Sequence, residues 1–144
     1  MFVCASTRCF PEKTLEESCA LLADLEFDKF EIWADDETSR LRPADIADAP
    51  EAFAAQLRDQ TRLSPVSICL GSEAVTGDQF AGITKAAKLL SITQITVPAS
   101  PLGTPFNAEI DRLKELVGLS RSEGVRVSLK TQSGTLTEDP RTAV

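Results

Sequence analysis

The chain has 144 residues, 42% of them hydrophobic and 26% charged, with a formal net charge of -7. That is enough chain for one domain with a core, and the composition is globular. The acidic balance excludes a nucleic-acid backbone as the default partner, because phosphate binding needs a basic footprint; the charge reads as a solubilising surface.

No apolar run approaches the roughly 20 residues that span a bilayer, so no membrane partner is expected. Met1-Phe2-Val3-Cys4 has neither a basic start nor a long apolar stretch, so no signal peptide is expected. The four cysteines (Cys4, Cys9, Cys19 and Cys69) form no CxxC pair, and the chain has no histidine. A Cys/His zinc site is therefore not expected. The thiols read as reduced residues of a cytoplasmic protein. Without histidine, acid–base chemistry falls to carboxylates, lysine or cysteine.

In chain order, residues 2–5 form the first predicted strand. Thr14-Leu15-Glu16-Glu17 is a capping box, and it opens a helix with Leu15, Cys19, Leu22 and Ala23 on one stripe. Residues 29–34 form the second strand. Residues 40–49 are long for a simple loop and leave room for a short helical turn. Pro50 suits a first helical position, with Phe53 and Leu57 sharing the next helical face. The third strand spans 66–70, after Ser64-Pro65. A helix carrying Phe80, Ile83, Ala87 and Leu90 follows, then a fourth strand at 94–97. The last helix carries Ile110, Leu113 and Val117 and stops at Gly124, a good left-handed terminator. Residues 125–131 are the fifth strand, with Val125, Val127 and Leu129 alternating.

Strands recurring with helices at roughly 30-residue intervals imply parallel β/α repeats with right-handed crossovers. No linker interrupts the series, so residues 1–144 read as one domain. Asp139 and Pro140 then read as the N-cap and first residue of a further helix, four residues before Val144. The expectation is an incomplete domain, the N-terminal portion of a larger fold.

Two architectures compete for such repeats. A doubly wound dinucleotide-binding sheet would place GxGxxG after the first strand; Ser6-Thr7-Arg8-Cys9-Phe10-Pro11 holds no glycine. A receiver-type phosphoacceptor would need acidic residues after the first and third strands, where the chain offers Ser6-Thr7 and Gly71-Ser72. The other architecture is a (β/α)8 TIM barrel of about 250 residues.

The stretches Ala5-Ser6-Thr7-Arg8-Cys9-Phe10-Pro11, Thr14-Leu15-Glu16-Glu17 and Leu25-Glu26-Phe27-Asp28-Lys29-Phe30-Glu31-Ile32-Trp33 resemble the opening of sugar phosphate isomerases/epimerases, the xylose isomerase-like TIM barrels. That family's usual phrase is "LGFDGVE". Gly124-Val125-Arg126-Val127-Ser128-Leu129-Lys130-Thr131 and Gly134-Thr135-Leu136-Thr137-Glu138-Asp139-Pro140 resemble its fifth strand and following turn. The resemblance spans the chain in the right order. It implies five strands and four helices of a truncated barrel, with about three strands absent.

In such a barrel the site lies at the C-terminal strand ends. Attention therefore falls on Thr7, Arg8, Glu31, Trp33, Gly71, Ser72, Glu73, Ser100, Lys130 and Gln132. Glu31 interrupts an apolar strand and needs a polar setting or a partner. It matches the family's second-strand glutamate, as a catalytic or hydroxyl-binding carboxylate; the alternative is an ion pair with Arg8 or Lys130. Trp33 is either a wall for a sugar ring or packing beneath a loop. Lys130 stands where the resemblance implies a metal-binding glutamate. An ammonium ~4 Å from a divalent ion would be repelled by about 8 kcal/mol at an effective dielectric of ~20. No metal is therefore expected on this chain, although the resemblance implies a divalent metal in a full-length parent. Lys130 is then a phosphate anchor, a Schiff-base amine, or the partner of Glu31 in a dead site. Thr7, Arg8, Trp33, Ser72, Ser100 and Gln132 are the candidate substrate ligands. Cys9 beside Arg8 is a structural cysteine, or a nucleophile lacking a base.

The resemblance implies aldose–ketose isomerisation or epimerisation of a small sugar, sugar phosphate or hydroxy-carbonyl compound in the parent, with this chain inactive alone. The alternative is a non-catalytic assembly module, a half-barrel that pairs with itself through open strand edges.

Overall fold

In the computed structural model, which describes residues 3–139 and Arg141, every strand is parallel and every crossover carries a helix. The elements run β1 (Ala5–Ser6), α1 (Leu15–Asp24), β2 (Lys29–Ala34), α2 (Pro43–Ala47), α3 (Pro50–Gln60), β3 (Ser64–Leu70), α4 (Gly77–Leu89), β4 (Gln94–Pro98), α5 (Phe106–Arg121) and β5 (Arg126–Lys130). A 3-10 turn at Thr7–Cys9 follows β1. The short helix anticipated within residues 40–49 is α2, held by Pro43 in its first turn and by the Arg42–Asp45 bridge. The first strand is later and shorter than expected, and Phe2 lies outside the described residues. β3 begins earlier, at Ser64. The helix expected at Pro140 lies outside the described residues; the Asp139 carboxylate accepts the Arg141 backbone N–H at 2.9 Å.

The strand order is β1-β2-β3-β4-β5. That order decides between the two architectures. A doubly wound sheet reverses direction at a switch point and carries helices on both faces. A consecutive order with same-handed crossovers lays all helices on one face, as in a TIM barrel. The fold is therefore a partial TIM-barrel-like α/β sheet.

Alternation along each strand sorts the side chains. Phe30, Ile32 and Ala34 of β2, Ile68 and Leu70 of β3, and Ile95 and Val97 of β4 pack with Leu22, Ile46, Leu57, Phe80, Ile83 and Leu116 from the helices. Each fully buried aliphatic or aromatic side chain there contributes about 1.5–3 kcal/mol. The opposite, inner face carries Glu31, Trp33, Ser67, Cys69, Thr96, Ser128 and Lys130. In a barrel that face looks into the lumen, which explains its polarity.

Register orders the inner face into rows. Glu31 pairs with Ser67. One step up, Trp33 pairs with Cys69, Cys69 with Thr96, and Thr96 with Ser128. Lys130 pairs with Pro98, a further step toward the strand ends. A register shift between Phe30 and Glu31 takes up Val66 as an extra residue of β3.

Candidate active site

Parallel strands deliver their last residues to one end of the sheet, where a cavity of about 510 Å³ opens. Arg8, Trp33, Asp35, Ser72, Lys130 and Gln132 are among its lining residues. Four candidate ligands from the sequence, with Lys130, thus meet around one space.

Trp33 is the centre of the arrangement. Its side chain is only 4% exposed, although it lies on the face that no helix covers. Two cations cover it. The Arg8 guanidinium carbon lies 4.4 Å from the ring centroid and the Lys130 ammonium 4.6 Å. Each contact contributes about 0.5–1 kcal/mol at a partly wet site. The indole N–H has no hydrogen-bond partner. The ring therefore serves as a platform for charge.

Lys130 and Gln132 are fixed by a pair of interlocked loops. Pro101 bridges Thr135, and Leu102 N–H donates to the Gly134 carbonyl at 2.9 Å. Thr137 Oγ1 donates to the Lys130 carbonyl at 3.0 Å, and Thr135 Oγ1 to the Gln132 carbonyl at 2.6 Å. The loop after β4 thus braces the loop after β5.

The sequence offered an ion pair between Glu31 and Lys130 or Arg8, and none forms. Glu31 sits four residues below Lys130 in register, ~13 Å along the strands. It accepts the Ser67 hydroxyl at 3.1 Å instead. Thr7 is buried, and its Oγ1 accepts the Trp33 backbone N–H at 2.9 Å, tying the turn after β1 to β2. Ser100 is also engaged: its Oγ donates to Glu109 Oε2 at 2.6 Å and its N–H to Oε1 at 3.2 Å. Neither Thr7 nor Ser100 lines the 510 Å³ cavity. Ser72 does, while its Oγ accepts the Ala74 N–H at 3.1 Å. Cys9 is exposed.

Asp35 was not foreseen. It directly follows β2, is 7% exposed, and takes both the backbone N–H and the hydroxyl of Thr38. Its neighbour Gly71 has no room for a Cβ, which would strike the Asp35 carboxyl group. The spacing Asp35-Asp36-Glu37-Thr38 carried the signal, as an acidic side chain that closes its own turn. Cys69 lies between the charges. Burial first, and the Glu31 charge second, push its thiol up to about 11 against the opposing charges of Lys130 and Arg8. It is poorly suited to nucleophilic work.

Among the described residues no three His, Cys, Asp or Glu side chains converge as a metal set. The head groups over Trp33 are cations. A divalent ion placed beside them would be repelled by both.

Two solved structures share the architecture. An uncharacterised protein from Parabacteroides distasonis matches at a TM-score of 0.62 and 14% identity, over 96% of this chain and 56% of that one. A xylose isomerase domain protein from Planctomyces limnophilus matches at 0.61 and 13%, over 97% of this chain and 55% of that one. The fold is xylose isomerase-like. This chain spans little more than half the length of either structure. No protein-family model matches the sequence, and no curated protein does. Among the described residues no helix is long and apolar enough to cross a membrane.

Proposed function

We propose that these strands belong to a sugar phosphate isomerase or epimerase of the cytoplasm, acting on a small phosphorylated sugar or hydroxy-carbonyl compound. The observation that carries the reading is the gathering of Arg8, Trp33, Ser72, Lys130 and Gln132 around one cavity at the strand ends of a xylose isomerase-like sheet. Ser72 and Gln132 offer hydroxyl-binding groups. With five of a barrel's eight strands, the chain by itself is expected to bind without turning over.

The test is a panel of pentose and hexose phosphates in D₂O, with ¹H NMR following both line broadening and loss of the proton α to the carbonyl. Binding without exchange is the expected result for this chain, and exchange for a complete barrel. Absence of binding to every member would sink the reading.

A second reading rests on a separate observation. Among the described residues β5 pairs on one side only, and Leu129 on it is 40% exposed, with Val117 of α5 46% exposed. Such an edge invites a second copy. Sedimentation velocity distinguishes a dimer that dissociates on Leu129→Lys from a monomer at all concentrations.

A further inference from the structure

Among the described residues Arg42, Lys85, Lys88, Arg112 and Arg141 each pair with a carboxylate. Arg8 and Lys130 do not, although the chain is acidic and four carboxylates line the same cavity. Both are spent on one indole instead. They come from opposite ends of the sheet, β1 and β5, so their meeting is a product of the sheet's curvature and not of local sequence. Bringing like charges to one ring is unfavourable unless something compensates them. The Trp33 N–H is buried without a hydrogen-bond partner. A buried donor without an acceptor costs about 1–3 kcal/mol.

We propose that Arg8 and Lys130 form an anion seat over Trp33, and that it receives the phosphate group of the substrate. The seat deepens the functional reading above and relies on it only for the sugar. A guanidinium and an ammonium together match a phosphate monoester, one by paired hydrogen bonds and the other as a point charge. The rest of the cavity narrows the ligand. Asp36 and Glu37 after β2, and Glu73 after β3, line it with carboxylates. These accept hydroxyls and repel further negative charge. A small polyol with a single phosphate satisfies both parts, whereas a bisphosphate or a nucleotide triphosphate does not.

Trp33 is its own reporter, since the chain has one tryptophan and no tyrosine. The experiment titrates the full chain at constant ionic strength with inorganic phosphate, a pentose monophosphate, the free pentose and MgCl₂, and follows indole emission. Saturable change with both phosphates, and none with Mg²⁺, is expected. Arg8→Gln and Lys130→Gln should each weaken phosphate binding about tenfold, the loss of one charge-assisted hydrogen bond. Lys130→Arg should restore most of it. Circular dichroism of each variant checks that the fold persists. Phosphate affinity unchanged in both glutamine variants, or saturable Mg²⁺ binding in place of phosphate, would overturn the seat. Inorganic phosphate binding as tightly as the pentose monophosphate keeps the seat and removes the sugar.

Discussion

Glu26 has a φ of 63°, a left-handed conformation that costs an L-residue about 1–2 kcal/mol. It ends α1 where the phrase "LGFDGVE" has glycine. Phe27 N–H reaches back to the Leu22 carbonyl at 3.0 Å, which requires that turn. Glu26→Gly should therefore raise stability by about 0.5–1 kcal/mol, after allowing for the looser unfolded chain; a lower urea midpoint would contradict the strain. Glu109 is the other telling residue. It is 4% exposed in the first turn of α5. Burial acts to raise its pKa, but hydrogen bonds from Arg112 and Ser100 outweigh burial and hold the carboxyl below its ordinary value of 4.5. A lowered pKa means that the unfolded chain takes up the proton first. The stabilisation is thus full above about pH 5 and is lost as pH falls through the native pKa. Denaturation midpoints from pH 7 to pH 3 should fall less steeply in Glu109→Gln, which should itself cost about 1–3 kcal/mol at pH 7. Parallel curves would remove Glu109 as the cause.

Three helices end in the same way. Phe27, Ile92 and Val125 each donate to the carbonyl five residues earlier, after a left-handed residue, and each then enters the core. Only α5 uses glycine there, at Gly124; α1 and α4 use Glu26 and Ser91. The sequence betrayed the Gly124 stop because glycine is the cheap solution, and it concealed the other two. Helix starts were easier to read: the Thr14 box forms as expected, with Glu17 accepting the Thr14 N–H at 2.8 Å. Gly82 shows how packing overrides propensity. Mid-helix alanine normally gains about 1 kcal/mol over glycine. In α4, however, a Cβ at 82 would overlap the backbone of Ala47 in α2. Gly82→Ala should destabilise by about 1–3 kcal/mol. A thermal midpoint at or above that of the parent would show that α2 can move aside.

At the scale of the molecule, the two sheet faces make different demands. Helices cover the outer face and exclude water from it. The inner face is shielded locally, by Arg8 and Lys130 over Trp33. Its buried cysteine, Cys69, and the outer-core Cys19 both have thiols pushed up to about 11, first by burial. Cys4 and Cys9 are exposed. Alkylation at pH 8 read by mass spectrometry should therefore add two groups quickly. Cys69 and Cys19 should react only on unfolding. Fast labelling of Cys69 alone would mean that the inner face opens independently of the core.

Periodicity and turn chemistry by themselves determined the five strands, the main helices and the parallel α/β class. Those signals are local, and apolar alternation and caps act within one element. Lys130, Arg8 and Trp33 could be named from their positions at strand ends. Their meeting could not, because it depends on register and strand order, which bring Lys130 to residues more than 90 positions earlier. Tertiary structure alone decided that Glu31 pairs with Ser67, that Ser100 is held by Glu109, and that Asp35 packs against Gly71. It also separated a singly wound sheet from a doubly wound one. The repeats look the same in sequence, and only the neighbour each new strand chooses tells the two apart.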